Sequence, residues 1–308
     1  MLEFVAKIEL GPFDSFKDKC VLRIPLAFRV VSCVNCKENC KVKRAQMGIK
    51  MNNAPVYFTI CQVRFNAILQ LVQYVPEIQE KMRRTGFADF AKREDTTINF
   101  GTVVGEQSVT PKIEVVERFL FSNMKRTAGF FLEHNGLSFQ VSEYETFEKF
   151  CDQFLLGLSE LHDVVGLNFT ERVGIRYLDA VIPKPGERAG AYLVREVHGL
   201  SGSLDRRAHR HTYSETVSQS DAGAITARVV IKSGKVGLAS DLGPPTVQLP
   251  ARVTNVSGEH AIIDTDGAVN IREEFSLSGI KTRLEALHLE ISKVFKSTVT
   301  EHALKVWD

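Results

Sequence analysis

Leu158-Ser159-Glu160-Leu161-His162, followed by Phe169-Thr170-Glu171-Arg172, recurs as Leu284-Glu285-Ala286-Leu287-His288, followed by Phe295 and then Thr300-Glu301-His302. In both copies L-x-x-L-H is followed seven residues later by Phe. Each copy then leads into a Thr-Glu-basic triplet and an apolar run, Val173 to Tyr177 in one and Ala303 to Trp307 in the other. The leucines fall at helical spacing, so the repeat reads as a duplicated helix-then-strand unit.

Working outward, Phe147, Phe150, Cys151, Phe154, Leu158, Leu161 and Val165 form one helical apolar stripe. Leu277, Ile280, Leu284, Leu287, Ile291 and Val294 form a second. Ser142-Glu143-Tyr144-Glu145 fits a capping box ahead of the first. Strands are expected at 56–65, 97–104, 112–123, 127–133, 137–141 and 170–182, with a hairpin at Asn135-Gly136. A helix is expected over 74–84, with Pro76 in its first turn. The second half repeats this order: a short helix over 189–200, strands at 211–218, 224–232 and 259–265, an extended connection over 238–254, the long helix, and a final strand over 298–307. Asp266-Gly267 reads as a turn.

The expected fold is α+β: two internally duplicated antiparallel sheet-plus-helix units, ferredoxin-like in each half, packed about a pseudo-two-fold. Their strands form two adjacent sheets or one long one. Residues 47–186 make the first half and 187–308 the second, together one compact unit.

The 308 residues are 44% hydrophobic and 25% charged, with a net charge of +2, an ordinary soluble composition with no global case for nucleic acid or membrane. Residues 1–46 differ from the rest, with nine Lys/Arg, five Asp/Glu and four of the six cysteines. Cys20, Cys33, Cys36 and Cys40 offer four thiolates, weak candidates for zinc because the spacing fits no paired-knuckle pattern. The alternatives are a poorly ordered extension, or sequence upstream of a start at Met47 or Met51. The body holds two isolated cysteines, as expected of a cytoplasmic protein, and no targeting segment is evident.

The stretches NAPVYFTICQVRFN (53–66) and YVPEIQEKMRRTGFADF (74–90), with TERVGIRYLD (170–179), HAIIDTDG (260–267) and VTEHALKVWD (299–308), resemble a sporadically distributed family of conserved hypothetical proteins of bacteria and archaea. The resemblance covers 53–308 and not 1–46. It implies a bacterial intracellular protein and supplies no activity.

No Walker A loop, dinucleotide fingerprint, zincin motif or nucleophile elbow is present, and no cofactor is expected. His162 and His288, placed alike in the two copies, could face a cleft between the halves, with Glu171, Arg172, Glu301 and His302 at its edge. The simpler reading is a helix-end His and a strand-start ion pair. Arg206, Arg207, His209, Arg210 and His211 form a basic cluster suited to nucleic acid, or to a solvated connector. Asp264-Thr265-Asp266-Gly267 lacks the rest of a calcium loop.

The first expectation is therefore a cytoplasmic, non-enzymatic binding or interaction protein, acting with a protein partner encoded nearby or as a homodimer. The second is a nucleic-acid-binding or RNA-processing protein using 206–211. The third is a small-molecule enzyme at the cleft between halves.

Overall fold

The strand Val56–Phe65 (β1) alternates side chains between two environments, and everything else is arranged on its two sides. The structure is a computed structural model describing residues 51–99, 112–203 and 210–308. After β1 come helix α1 (Leu71–Arg84), strands β2 (Asp89–Asn99), β3 (Lys112–Ser122), β4 (Ala128–Glu133) and β5 (Gly136–Val141), helix α2 (Phe147–Val165) and strand β6 (Phe169–Val181). Three short 3-10 turns lie between Ala189 and Gly202. Then follow β7 (His211–Ser220), β8 (Gly223–Lys235), a connector with the four-residue α3 (Ala251–Thr254), β9 (Ser257–Val269), the two-residue β10 (Glu273–Glu274), α4 (Leu277–Thr298) and α5 (Glu301–Trp307).

Among the described residues the strands form one mixed-connectivity sheet in the order β2-β3-β4-β5-β1-β6-β9-β8-β7, with β10 added to the start of β6. Every pairing is antiparallel. This is the α+β class, a large antiparallel sheet with five helices among the described residues. None of the described helices is long and apolar enough to cross a membrane.

The period-two alternation of each strand decides which layer covers which face. Cys61, Val63 and Phe65 of β1, Val173, Ile175 and Tyr177 of β6, and Phe130, Leu132, Leu137 and Phe139 of β4 and β5 face α1, α2 and α4 in one buried cluster. The helices meet it with their apolar stripes: Phe150, Phe154, Leu158 and Leu161 from α2, and Ile280, Leu284, Leu287 and Ile291 from α4. The opposite face carries Tyr57, Phe58, Leu178, Ala180 and Ile262, covered at one end by Val236, Val247 and Val253 of the connector. A third cluster joins Val181, Tyr192, Ile231 and Ile263 to Ala303 and Trp307 of α5.

Several expectations are corrected. The last ten residues are not a strand. Both edges of β6 are taken, by β1 and β9, and only Leu193 bridges Val299. The hydroxyl of Thr300 instead accepts from the Ala303 amide (3.2 Å) and starts α5, whose Ala303 and Trp307 are one helical turn apart and buried. Asp266-Gly267 is no turn, since β9 runs through to Val269, paired on both edges. Gly267 sits in close quarters, since a Cβ there would lie 3.0 Å from the side-chain ends of Ile225 and of Ile291 in α4.

The cap of α2 is Thr146, bonded to the Lys149 amide, rather than Ser142. Helix α1 starts a turn earlier than expected, so Pro76 lies inside it while Leu71, Val75, Ile78 and Met82 make its buried stripe. Strand β2 starts at Asp89 rather than Thr97; its charged sequence is tolerated because it is an edge strand with a single neighbour, β3. The helix expected over 189–200 is a run of 3-10 turns, broken where Leu193 leaves the coil to bridge Val299.

Candidate binding groove on the helix-free face

Beyond Tyr57 and Phe58, β1 places Ile60, Gln62 and Arg64 on the face opposite α1, α2 and α4. Beside Leu178 and Ala180, β6 places Arg172, Gly174 and Arg176 there. The register sets them in three cross-strand pairs, Ile60 with Arg176, Gln62 with Gly174 and Arg64 with Arg172. On one side β9 adds Asp264 and Asp266, and β8 adds Arg228 opposite Asp264. On the other side β5 adds Gln140, β4 adds Phe131 and Glu133, β3 adds Arg118 and β2 adds Arg93. Asp241, Leu242 and Pro244 of the connector form a rim. The result is a groove of about 260 Å³ over the middle of the sheet, walled largely by charged and amide side chains.

Its floor is fixed by paired charges. Arg176 donates from Nε and Nη2 to Asp264 (2.6 Å each) and from Nη1 and Nη2 to Asp241 (2.7 and 3.1 Å). Burial opposes the charge on Arg176, but these hydrogen bonds outweigh it and raise its pKa. Arg228 reaches Glu215 of β7 at 2.6 Å and lies 3.8 Å from Asp264. Arg118 is paired with Glu133. The rim is held by Arg93 donating to the Pro244 carbonyl (3.2 Å) and by the amide and hydroxyl of Thr246 donating to Gln140 (2.8 Å each).

Arg172 is different. Its Nη1 donates to the Gln62 amide oxygen (3.0 Å), and its guanidinium lies flat over Gly174, where a Cβ would come within 2.8 Å of Nη1. Desolvation lowers its pKa; Asp266 works against that and the neighbouring Arg64 adds to it. Asp266, half-buried, has its carboxyl pKa raised by desolvation.

The residues singled out in the sequence fall in separate places. Arg172 lines the groove, and Glu171 beside it is exposed. His162 and His288 lie on the helix-covered side. The His162 ring stacks on Phe275 (centroids 4.3 Å apart), and its Nδ1 accepts from the Leu167 amide (3.0 Å). His288 stacks on Phe147 (4.3 Å) and its Nδ1 lies 3.0 Å from the Tyr177 hydroxyl; burial lowers its pKa to about 4. Phe147 opens α2 and His162 is in its last turn, so at ~1.5 Å per residue the two stacks are roughly 22 Å apart along that helix. The pair therefore ties the start of α2 to α4 and its last turn to Phe275, just ahead of α4, and does not converge on one cleft. Glu301 is exposed in the first turn of α5, and His302 contacts Glu187 (3.3 Å).

Arg210 and His211 are exposed at the start of β7. Arg206, Arg207 and His209 lie outside the described residues, as do Cys20, Cys33, Cys36 and Cys40. Among the described residues no group of three or more His, Cys, Asp or Glu is placed to hold a metal ion.

Arg64 and Arg176 do not stand out as a site in the sequence, and Asp264 and Asp266 read there as a turn with an incomplete calcium loop. The signal was present: Arg172, Gly174 and Arg176 share one parity of a strand whose other parity is apolar, as do Gln62 and Arg64. A second cavity, of about 360 Å³, is lined by Arg188, His198, Ser201 and Glu259 among others. Its polar groups are engaged locally, with His198 on the Leu193 carbonyl (3.1 Å) and Glu259 on the Ala189 amide (2.9 Å). Comparison with models of protein families and with curated proteins gives no match for this chain.

Proposed function

We propose that the protein is a non-enzymatic binding protein whose ligand or partner is held in the groove on the face of the sheet opposite α1, α2 and α4. The observation that carries this reading is the gathering of Arg64, Arg93, Arg118, Arg172 and Arg176 with three carboxylates along one groove at the centre of the sheet. Arg176 pairs with Asp241 and Arg118 with Glu133, and such matching suits recognition by charge and shape rather than proton transfer. The protein acts in the cytoplasm, a reading supported by Cys61 and Cys151, both buried and unpaired. The partner is a protein encoded nearby or a second copy of the chain, and the likeness to the bacterial and archaeal family over 53–308 belongs to the same reading.

The reading includes a duplication. The chain order β1-α1-β4-β5-α2-β6 with the sheet order β4-β5-β1-β6 supports a ferredoxin-like first half into which the β2-β3 hairpin is inserted. In the second half β6 takes the place of β1. Strands β7, β8 and β9 then run inward as β3, β4 and β5 do, and α4 follows with the second L-x-x-L-H. A pseudo-two-fold between β1 and β6 relates the two.

The test is purification of the full chain from its own cells beside a Gln62→Trp variant, which fills the groove without changing charge. The expected result is a co-purifying ligand lost by the variant at unchanged melting temperature. A ligand retained equally by both, or turnover in a metabolite screen, would overturn the reading.

A further inference from the structure

We propose that Arg64 and Arg172 form an oxyanion site that takes a carboxylate or phosphate group across the β1–β6 pair. This deepens the groove reading and rests on it. The two arginines are direct cross-strand partners at the centre of the sheet. Like charges directly opposite each other on a sheet destabilise it, so such a pair is unfavourable unless something negative lies between or over it. The other arginines of the floor have that answer: Arg176 has Asp264 and Asp241, and Arg118 has Glu133. Arg64 and Arg172 do not. Among the described residues no carboxylate lies within ion-pair distance of either, and Asp266 acts on Arg172 only through space.

Arg172 is also held ready. Gln62 fixes one Nη, and the bare backbone of Gly174 lets the guanidinium lie flat. Among the described residues its Nε and second Nη have no acceptor. A guanidinium with one edge tethered and the other available is the geometry that receives two oxygens of one anion. Arg64 is exposed at the mouth of the same groove, where it adds a second charge. Carboxylate and phosphate share the chemistry this pair recognises, and the groove is wide enough for either.

The experiment titrates the full chain with sodium phosphate and, separately, with sodium acetate. Chloride keeps the ionic strength constant, and binding is followed by calorimetry and melting temperature. Saturable binding of at least one anion is expected, weakened about tenfold or more in Arg172→Gln and in Arg64→Gln, as loss of a charge-assisted hydrogen bond implies. An Arg210→Gln control leaves it unchanged. Without anion, Arg64→Gln melts at the same or a higher temperature, because it removes a repulsion; a merely structural arginine would give a lower one. A response to phosphate alone assigns a phosphoryl group, and a response to acetate a carboxylate. If neither anion binds saturably, or both Gln variants bind as well as the parent, the assignment is wrong. Should Gln62→Trp still remove a co-purifying ligand in that event, the groove stands and only its oxyanion character falls.

Discussion

Arg176 has two carboxylate partners in unequal surroundings. The Asp264 side chain is 4% exposed and that of Asp241 60% exposed. Removing a buried partner leaves a buried charge uncompensated, whereas removing one in water costs little. Asp264→Asn is therefore expected to lose roughly 3 kcal/mol in urea unfolding, and Asp241→Asn under about 1 kcal/mol. Equal losses would show that the floor is not organised around Asp264. The sequence made this hard to see. Asp264-Thr265-Asp266-Gly267 has the composition of a turn, and only pairing of β9 with β6 and β8 turns it into alternating strand positions. Local composition carries no information about partners a hundred residues away.

The long helices α2 and α4 were legible because their apolar stripes repeat at helical spacing over many turns. The terminal segment was not. Val299 to Trp307 is rich enough in apolar residues to pass for a strand, and the Thr300 cap is a single hydroxyl. Its contribution is testable at the level of the element: Thr300→Ala loses the bond to Ala303 and another to the Ala191 carbonyl (2.8 Å). The expected cost is ~1 kcal/mol in thermal unfolding. Trp307→Ala, which empties the contact with Tyr192 and Phe295, should cost about 3–5 kcal/mol. Were α5 a frayed appendage, neither change would move the midpoint. The element that most resisted reading was β2, whose run Asp89 to Asp95 looks like surface because it lies at an edge of the sheet.

Across the whole molecule, two kinds of buried titrating group oppose each other. Asp179, desolvated, has its pKa raised from 3.8 to about 7, so it stays protonated in the fold while the unfolded chain ionises; its contribution is lost as pH rises through that window. His288, also desolvated, has its pKa lowered from 6.5 to about 4, so it stays neutral in the fold; its contribution is lost as pH falls through nearly the same window. Asp266 is shifted like Asp179, and His260, lowered by burial, like His288. Between pH 4.5 and 7 the parent's unfolding free energy is thus expected to be nearly flat. Asp179→Asn should make stability fall on acidification, and His288→Gln should make it fall as pH rises. Urea titrations at several pH values read the slopes; slopes of the same sign in the two variants would refute the compensation. None of this was legible beforehand, because burial of Asp179 depends on the sheet order, and strand order leaves no trace in periodicity.

That order also has a consequence for synthesis. Strand β1 leaves the ribosome before the other described strands, yet its place is in the middle of the sheet, between β5 and β6. Ile60 must wait for Gln140 on one edge and for Arg176 on the other. At roughly 5–20 residues per second the second wait lasts several seconds at the least. During it, a strand of Val56-Tyr57-Phe58-Thr59-Ile60 character has bare hydrogen-bonding edges. Ribosome-bound chains ending shortly before β6 should be cleaved readily within β1 and shielded by holdase chaperones. Chains long enough to have released Val181 should resist the same protease. The nascent chain is most in danger where the finished protein is best buried.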